Sequence, residues 1–443
     1  MNTRTIPRPE RAVRAVAATA AALVALVALT GCATPFQWEP YPSDGELDAL
    51  TPDEWRADVE FLRTELPRRN PHFAEDTEMA RTFEAEARAL DASISEATTP
   101  SQMIAGLSEL LALVGEGHTS LNSYPTTCFP VVARWFADGF FVAGADSAYS
   151  DIVGARVTGI RDASGERLSL AELEVALNSV ISVDHPNGYR ASQPQVLLDP
   201  HLMRGLGLAD EGELTYVLEI GAMEIERTVS EMRRADLTMV YASDSAPEKP
   251  LAARSSDPNW YARTGEDDRT IYFSYDDCTD EARGLLQDLV DELKRSSVDR
   301  LIVDLRANSG GNSAPGTWFA SQVAGIPELR GDGGIFVLIG PATFSSGMML
   351  AVDFMEKTDA LFAGRPIAES PNSWGEVKRF PLPRSGLMIG HSTKFFRYAE
   401  GKNLRLDSDG IIVPDSGFEF RPRFADYVGG VDPVVEAVLA YEP

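Results

Sequence analysis

The sequence predicts an α/β protein with a mainly parallel sheet, a helical region ahead of it and a smaller β-rich module between the two. Three observations lead there. The C-terminal half alternates short, wholly apolar runs with amphipathic stretches. Strands that apolar are buried on both faces, as in parallel sheets covered by connecting helices. The passage from about Phe129 to Val229 consists instead of short strands and turns, and two segments upstream open with helix-start signatures.

The first residues form a segment distinct from the fold. Arg4, Arg8, Arg11 and Arg14 precede an apolar run, Ala15 to Leu29, that is shorter than a membrane-spanning helix and ends in "LTGC" (Leu29–Cys32). A basic start, a short apolar run and small residues before the cut describe an export signal over residues 1–31. Its closing cysteine makes it resemble a bacterial lipoprotein signal. That implies cleavage before Cys32, lipidation of the Cys32 sulfur and a place in the cell envelope, outside the cytoplasm and anchored to a membrane. A plain secretory peptide that happens to end in cysteine is the alternative.

Residues 32–47 are rich in proline and acid and read as a tether. The helical region spans 48–124. Thr51, Pro52 and Glu54 form a capping box with proline at the first helical position, and Thr99, Pro100 and Gln102 repeat the device. Met103, Leu107, Leu110, Leu111 and Val114 then line one helix face, Gly115 ends it, and His118 stands just beyond in "GEGHTSL". The β-rich module covers 125–235, with strands in "DGFFVAG", "IVGARVTGI" and "ELTYVLEI" and one helix in "LSLAELEVAL". The α/β core covers 236–443. Its strands are "RTIYFSY", "RLIVDL", "GIFVLIG" and "ALFAG", with helices in "DEARGLLQDLVDELKRSS", "GTWFASQVA" and "SGMMLAVDFMEK".

Of the 443 residues 44% are hydrophobic and 24% charged, as in ordinary globular chains. The formal charge of −27 argues against nucleic acid or an anionic membrane surface as partner, since both require basic patches. Cys128 and Cys278, the cysteines beyond Cys32, either pair or are buried thiols. Neither has metal-site spacing and no His/Cys cluster occurs, so neither a metal nor a cofactor is expected.

Ligands collect at the C-terminal ends of parallel strands, and two loops there are unusual: "RANSGGN" (Arg306–Asn312) and "PATFSSG" (Pro341–Gly347). A serine between a buried strand and a helix presents its hydroxyl beside the N–H groups of the first helical turn, which can stabilise an oxyanion. The same serines also suit an ordinary helix cap. Paired glycines permit positive φ and close backbone approach, or simply a turn. Asp304 is expected to be structural, either capping a loop or pairing Arg306. A serine nucleophile needs a base, usually histidine. His72, His185 and His201 lie beside proline and read as surface residues, His391 lies in a strand of either facing, and His118 occupies a Gly-flanked loop open to a cleft.

Together, "GEGHT", "IVDLRANSGGN", "GPATFSSGMM" and "FAGRPIAESPNSWGE" occur in the order seen in the C-terminal processing (tail-specific) serine peptidases and their tricorn-core relatives, which the chain resembles over most of its length. The resemblance implies a ClpP/crotonase-like βαβ core and a PDZ-like module. It implies Ser345 as nucleophile, and an oxyanion hole from Ser346 N–H with Gly310 or Gly311. One branch of the family uses a lysine base about twenty-five residues after the serine, but "RPIAESPNSW" contains none; Lys357 and Lys378 are nearest. The other branch uses a histidine ahead of the PDZ-like insertion, which His118 matches. A carboxylate then orients the imidazole: Glu376 first, Glu369 second, Glu116 third. The expected activity is hydrolysis of peptides or proteins, the alternatives being an inactive peptide-binding lipoprotein on the same fold or an esterase.

Overall fold

The computed structural model describes residues 39–265, 268–295 and 297–443. The expected signal at 1–31, Cys32 and the expected tether as far as residue 38 lie outside the described residues. From Glu39 the chain is already part of the fold. Glu39–Pro40 pairs in parallel with Ser123–Tyr124, and Tyr41 is buried with its hydroxyl on Asp199, 2.9 Å away. The expected tether therefore gives way to structure before residue 47.

Three helices open the fold: α1 (Pro52–Arg69), α2 (Thr77–Ser93) and α3 (Pro100–Ala112). Both predicted capping boxes close, Thr51 with Glu54 and Thr99 with Gln102. The apolar faces of these helices pack with Phe380, Leu382, Leu387 and Ile389 of a C-terminal hairpin. That hairpin, Lys378–Pro381 with Met388–His391, also pairs with Ser120–Leu121 just after His118. Buried Asp58 of α1 fixes the hairpin's turn by accepting the N–H groups of Arg384 and Ser385, each at 2.8 Å. His118 thus has rigid structure on both sides.

The β-rich module has strands β1 (Val131–Phe136), β2 (Gly139–Asp146) and β3 (Arg156–Arg161), helices α4 (Leu170–Asn178) and α5 (Tyr189–Leu198), then β4 (Glu213–Ile220), β5 (Met223–Ser230) and β6 (Met239–Tyr241). Its sheet runs β5-β4-β3-β2-β6, with β1 pairing β2. Phe140, Val142, Val157, Ile160, Tyr216 and Leu218 alternate inward to form its core.

The core sheet runs β7 (Asn259–Thr264), β8 (Thr270–Tyr275), β9 (Arg300–Asp304), β10 (Ile335–Ile339), β11 (Leu361–Gly364). β7 is antiparallel to β8, and the other three pairings are parallel. Helices α6 (Ala282–Arg295), α7 (Ser313–Val323) and α8 (Ser346–Lys357) cover the face bearing Ile271, Phe273, Leu301, Val303, Val337 and Phe362. Val434, Val435 and Val438, with Leu251, cover the face bearing Tyr272, Ile302, Phe336 and Leu338. The apolar runs read in the sequence are buried on both sides for this reason. Among the described residues no helix is long and apolar enough to cross a membrane. Cys128 and Cys278 are both buried free thiols.

At the end of β9, Arg306 is clamped between Asp304 and Asp432, with Nη2 at 2.5 Å and 2.7 Å from their carboxylates, and Tyr272 donates to Asp304 at 2.6 Å. Asp276, after β8, accepts the Ser274 hydroxyl at 3.1 Å and makes no ion pair among the described residues, with Arg306 near enough only to oppose its rise in part. Burial first, and the neighbouring Asp304 carboxylate second, push its carboxyl up to about 7. The group ionises in the unfolded chain near its ordinary value of about 3.9. Its contribution to stability is therefore complete below that pH and is lost as pH rises through about 7. Asp276→Asn is expected to flatten the stability–pH curve between pH ~4 and ~8, by on the order of 4 kcal/mol; urea unfolding of both proteins across that range checks it.

Candidate active site

The loops after β9 and β10 are joined at Asn308, which is fully buried. Its carbonyl accepts the Phe344 N–H at 2.9 Å, its side-chain oxygen accepts the Gly310 N–H at 2.9 Å, and its side-chain nitrogen donates to the Tyr275 carbonyl at 2.6 Å. Ser346 Oγ closes the second connection by donating to the Gly311 carbonyl at 2.7 Å. Ser345 lies between these ties with φ 52° and ψ −120°, a conformation uncommon for a non-glycine residue. The turn from β10 into α8 is thus strained in the manner of a nucleophile elbow.

Gly310 and Gly311 have φ of 107° and 125°, as expected of paired glycines there. A Cβ on Gly310 would stand 2.6 Å from Ser345 Cβ and 3.0 Å from Ser346 N. The two glycines differ in what they offer. Gly310 spends its N–H on Asn308, whereas the N–H groups of Gly311 and Ser346 have no acceptor among the described residues. Gly311 with Ser346 is the donor pair left for an oxyanion.

His118 comes to this loop from the far end of the chain. Its ring stacks on Phe344, centroids 4.4 Å apart, and its other side meets Gly375, where a Cβ would lie 3.7 Å from Cε1. The side chain is only 8% exposed, so the residue expected at an open cleft is buried. Both ring nitrogens are buried without a hydrogen-bond partner among the described residues, so the ring stands against Phe344, next in the chain to Ser345, with no hydrogen bond to the serine. Burial pulls the imidazole down to about 4, with the Trp374 carbonyl opposing weakly. The ring is therefore neutral at physiological pH and able to accept a proton.

Of the three candidate carboxylates, Glu369 reaches the ring, with Oε1 4.0 Å from His118 Nδ1. Its other oxygen accepts the Ser345 N–H, and Oε1 accepts the Ser373 hydroxyl at 2.8 Å. Glu116 holds the loop backbone rather than the imidazole, accepting His118 N–H at 2.9 Å and Ser392 Oγ at 2.9 Å. Glu376, the first candidate from the sequence, lies outside the site. Strand Asn372–Gly375 ends beside His118, and Glu376 then turns outward at φ 56° to face Lys394, its side chain 57% exposed. The stretch where a lysine base was sought is the one that supplies Glu369. Lys357 is bound to Asp353 on α8, and Lys378 is exposed on its strand.

Asp184, unremarked in the sequence, also enters. It belongs to the segment between α4 and α5 and accepts the Gly117 N–H at 3.0 Å. Burial, with repulsion from Glu116, lifts its carboxyl to about 7. Burial, with Asp184 close by, pushes Glu369 well above the usual carboxylate range. Nothing in "SVDHPNG" distinguishes Asp184 from a solvated loop acid; only the docking of the module reveals it. The other histidines lie elsewhere. His201, expected on the surface, is buried against Ser101 and Asp44, His72 stacks on Trp374, and His391 bonds the Ser392 carbonyl. His185 lies 3.8 Å from Asp409.

A cavity of about 340 Å³ separates the module from the core. Its lining includes Arg134, Trp135, Arg190 and Arg365, and it runs to Pro341 and Ala342 at the start of the Ser345 loop.

No protein-family model matches the chain, and no curated protein matches it in sequence. Solved structures do match. A CPAF mutant is 11% identical with a TM-score of 0.58, covering 88% of this chain and 97% of its own. Mature CPAF complexed with lactacystin is 12% identical with a TM-score of 0.56, covering 88% and 98%. The chain has the fold of CPAF. A photosystem II D1 C-terminal processing protease aligns over 87% of this chain and 99% of its own at 14% identity and a TM-score of 0.41.

Gly310→Ala should force Ser345 and Gly310 apart, because an added Cβ meets backbone and Cβ atoms at a φ that L side chains disfavour. The expected result is a loss of more than about 1 kcal/mol of stability, read by thermal unfolding, together with loss of any Ser345 reactivity toward an acylating probe.

Proposed function

We propose that this protein is an exported, lipid-anchored serine peptidase that hydrolyses peptide bonds through Ser345 and His118. The observation that carries the reading is the contact of His118, from a distant loop, with Phe344, the residue before a strained serine at a helix start. The fold shared with CPAF and the family motifs agree with it. In the proposed reaction Ser345 Oγ attacks the scissile carbonyl as His118 takes its proton. The N–H groups of Ser346 and Gly311 receive the oxyanion. His118 returns the proton to the leaving amine, and water, deprotonated by the same ring, hydrolyses the acyl-serine. Glu369 stabilises the imidazolium through Nδ1, the role first sought in Glu376. Attack requires the serine hydroxyl and the ring to come into a hydrogen bond, as catalytic pairs commonly do on binding substrate. The arginine-lined cavity suits the free carboxylate end of a peptide held between the module and the core.

The unbonded His118 ring favours one second reading, an inactive peptide-binding protein on the same fold. Peptide and ester substrates assayed on the same preparation separate peptidase, esterase and silent binder. Ser345→Ala and His118→Ala are each expected to lower kcat/KM at least about 1,000-fold, with the double variant little worse than either. Labelling by lactacystin, the compound complexed with mature CPAF, should disappear in Ser345→Ala. Hydrolysis that survives Ser345→Ala refutes the assignment.

The envelope location rests on the sequence of residues 1–32. Cys32→Ser is expected to abolish incorporation of labelled fatty acid and to move the protein from the membrane fraction to the soluble one.

A further inference from the structure

The side chains around His118 form an arrangement that hydrolysis does not require. His118, Asp184 and Glu369 each offer one ligand atom, and the three atoms lie within 4.8 Å of one another. They come from three separate parts of the chain: the loop after the helical region, the module segment between α4 and α5, and the core segment after β11. Spacing along the sequence therefore carried no metal-site pattern.

Two independent features point to a cation. The first is charge. The Asp184 and Glu369 carboxyl groups come within 4.8 Å of each other, with no lysine or arginine bonded to either among the described residues. Carboxyl groups so placed share the site either by keeping a proton or by binding a cation, which can displace that proton. The second is His118 itself, a buried imidazole with neither nitrogen satisfied, beside the same two carboxylates. Leaving a buried polar atom unpaired is costly, and a metal bond is one way to satisfy it.

We propose that His118, Asp184 and Glu369 bind a divalent transition-metal ion, Zn2+ in preference, and that the bound ion switches the Ser345 centre off. One imidazole nitrogen with two carboxylate oxygens suits Zn2+ better than Ca2+ or Mg2+, which favour all-oxygen shells. Three protein ligands leave a fourth position for water. A tetrahedral set with bonds of about 2.1 Å has edges of about 3.4 Å, so side-chain rotations on the order of 1 Å close the site. Two carboxylates and a neutral imidazole around a dication are electrically balanced. The ion takes the Nδ1 lone pair and the Glu369 carboxylate, so the ring can no longer pass a proton with Glu369 in support. It also ties the module, through Asp184, to the core.

Binding stands apart from the peptidase reading; only the switch rests on it. The test uses the chelator-treated chain titrated with Zn2+ alone by calorimetry, and with Co2+ for its visible spectrum. One equivalent is expected to bind, with a tetrahedral Co2+ spectrum. Asp184→Asn and His118→Ala should each weaken binding by more than the about 10–100-fold that loss of an outer-shell partner costs. Ser345→Ala should bind as the parent does, whether or not the parent hydrolyses anything. Should the ligand variants not fold, zinc-edge anomalous scattering from crystals of the parent chain must place the ion between the three side chains. Affinity unchanged in Asp184→Asn, or anomalous density only elsewhere, overturns the site. Zinc bound there with peptide hydrolysis undiminished overturns the switch and leaves the site.

Discussion

The hydrogen bond from Phe344 N–H to the Asn308 carbonyl is the constraint on which the site depends. It joins the loops after β9 and β10 through the backbone carbonyl, and the two polar groups of the Asn308 side chain reach Gly310 and the end of β8. Three adjacent strand ends are thereby locked by one buried residue. With the loops so held, Ser345 has no room to relax from its positive φ, and Gly310 must lack a side chain because Ser345 already fills the space. Strain of this kind persists only where surrounding structure over-determines it. Gly347 shows the same limit from the other side, since a Cβ there would meet Asn308 at 2.6 Å.

Around this rigid turn the structure gathers groups that are costly to bury. Among the described residues the His118 ring nitrogens make no hydrogen bond, and Glu116, Asp184 and Glu369 are carboxyl groups taken out of water with no lysine or arginine bonded to them. Elsewhere some buried charges are compensated, as where Arg306 lies between two carboxylates and Asp58 accepts two backbone N–H groups, and Asp276 is an exception. The contrast places unresolved electrostatics where chemistry or ligand binding can use it.

Much of the fold was legible because it rests on local rules. Thr51 and Thr99 cap helices through side chains three residues ahead, and such contacts are written in consecutive sequence. The apolar runs of β8, β9 and β10 follow from burial on two faces. Asp304 pairs Arg306 two residues away, as expected. Tertiary packing overrode other readings. Glu369 and Glu376 flank the short strand Asn372–Gly375, and their order of candidacy inverted because the backbone turns outward immediately after Gly375. His201 became a buried helix residue because Asp199 caps its turn and α3 packs over it.

The sequence by itself determined the helix starts, the parallel core, the two glycine- and serine-bearing loops and the candidacy of Ser345 and His118. Each of these depends on neighbours within a few residues or on the recurring order of short motifs. Only the tertiary structure decided which carboxylate approaches the imidazole, which glycine keeps a free N–H, and that Asp184 belongs to the site at all. The first and last of those outcomes depend on how segments more than sixty residues apart along the chain are docked, and the glycine on the orientation of the Asn308 side chain that the strand ends hold. A backbone turn of one residue or a module packed against a loop changes them without altering any local pattern.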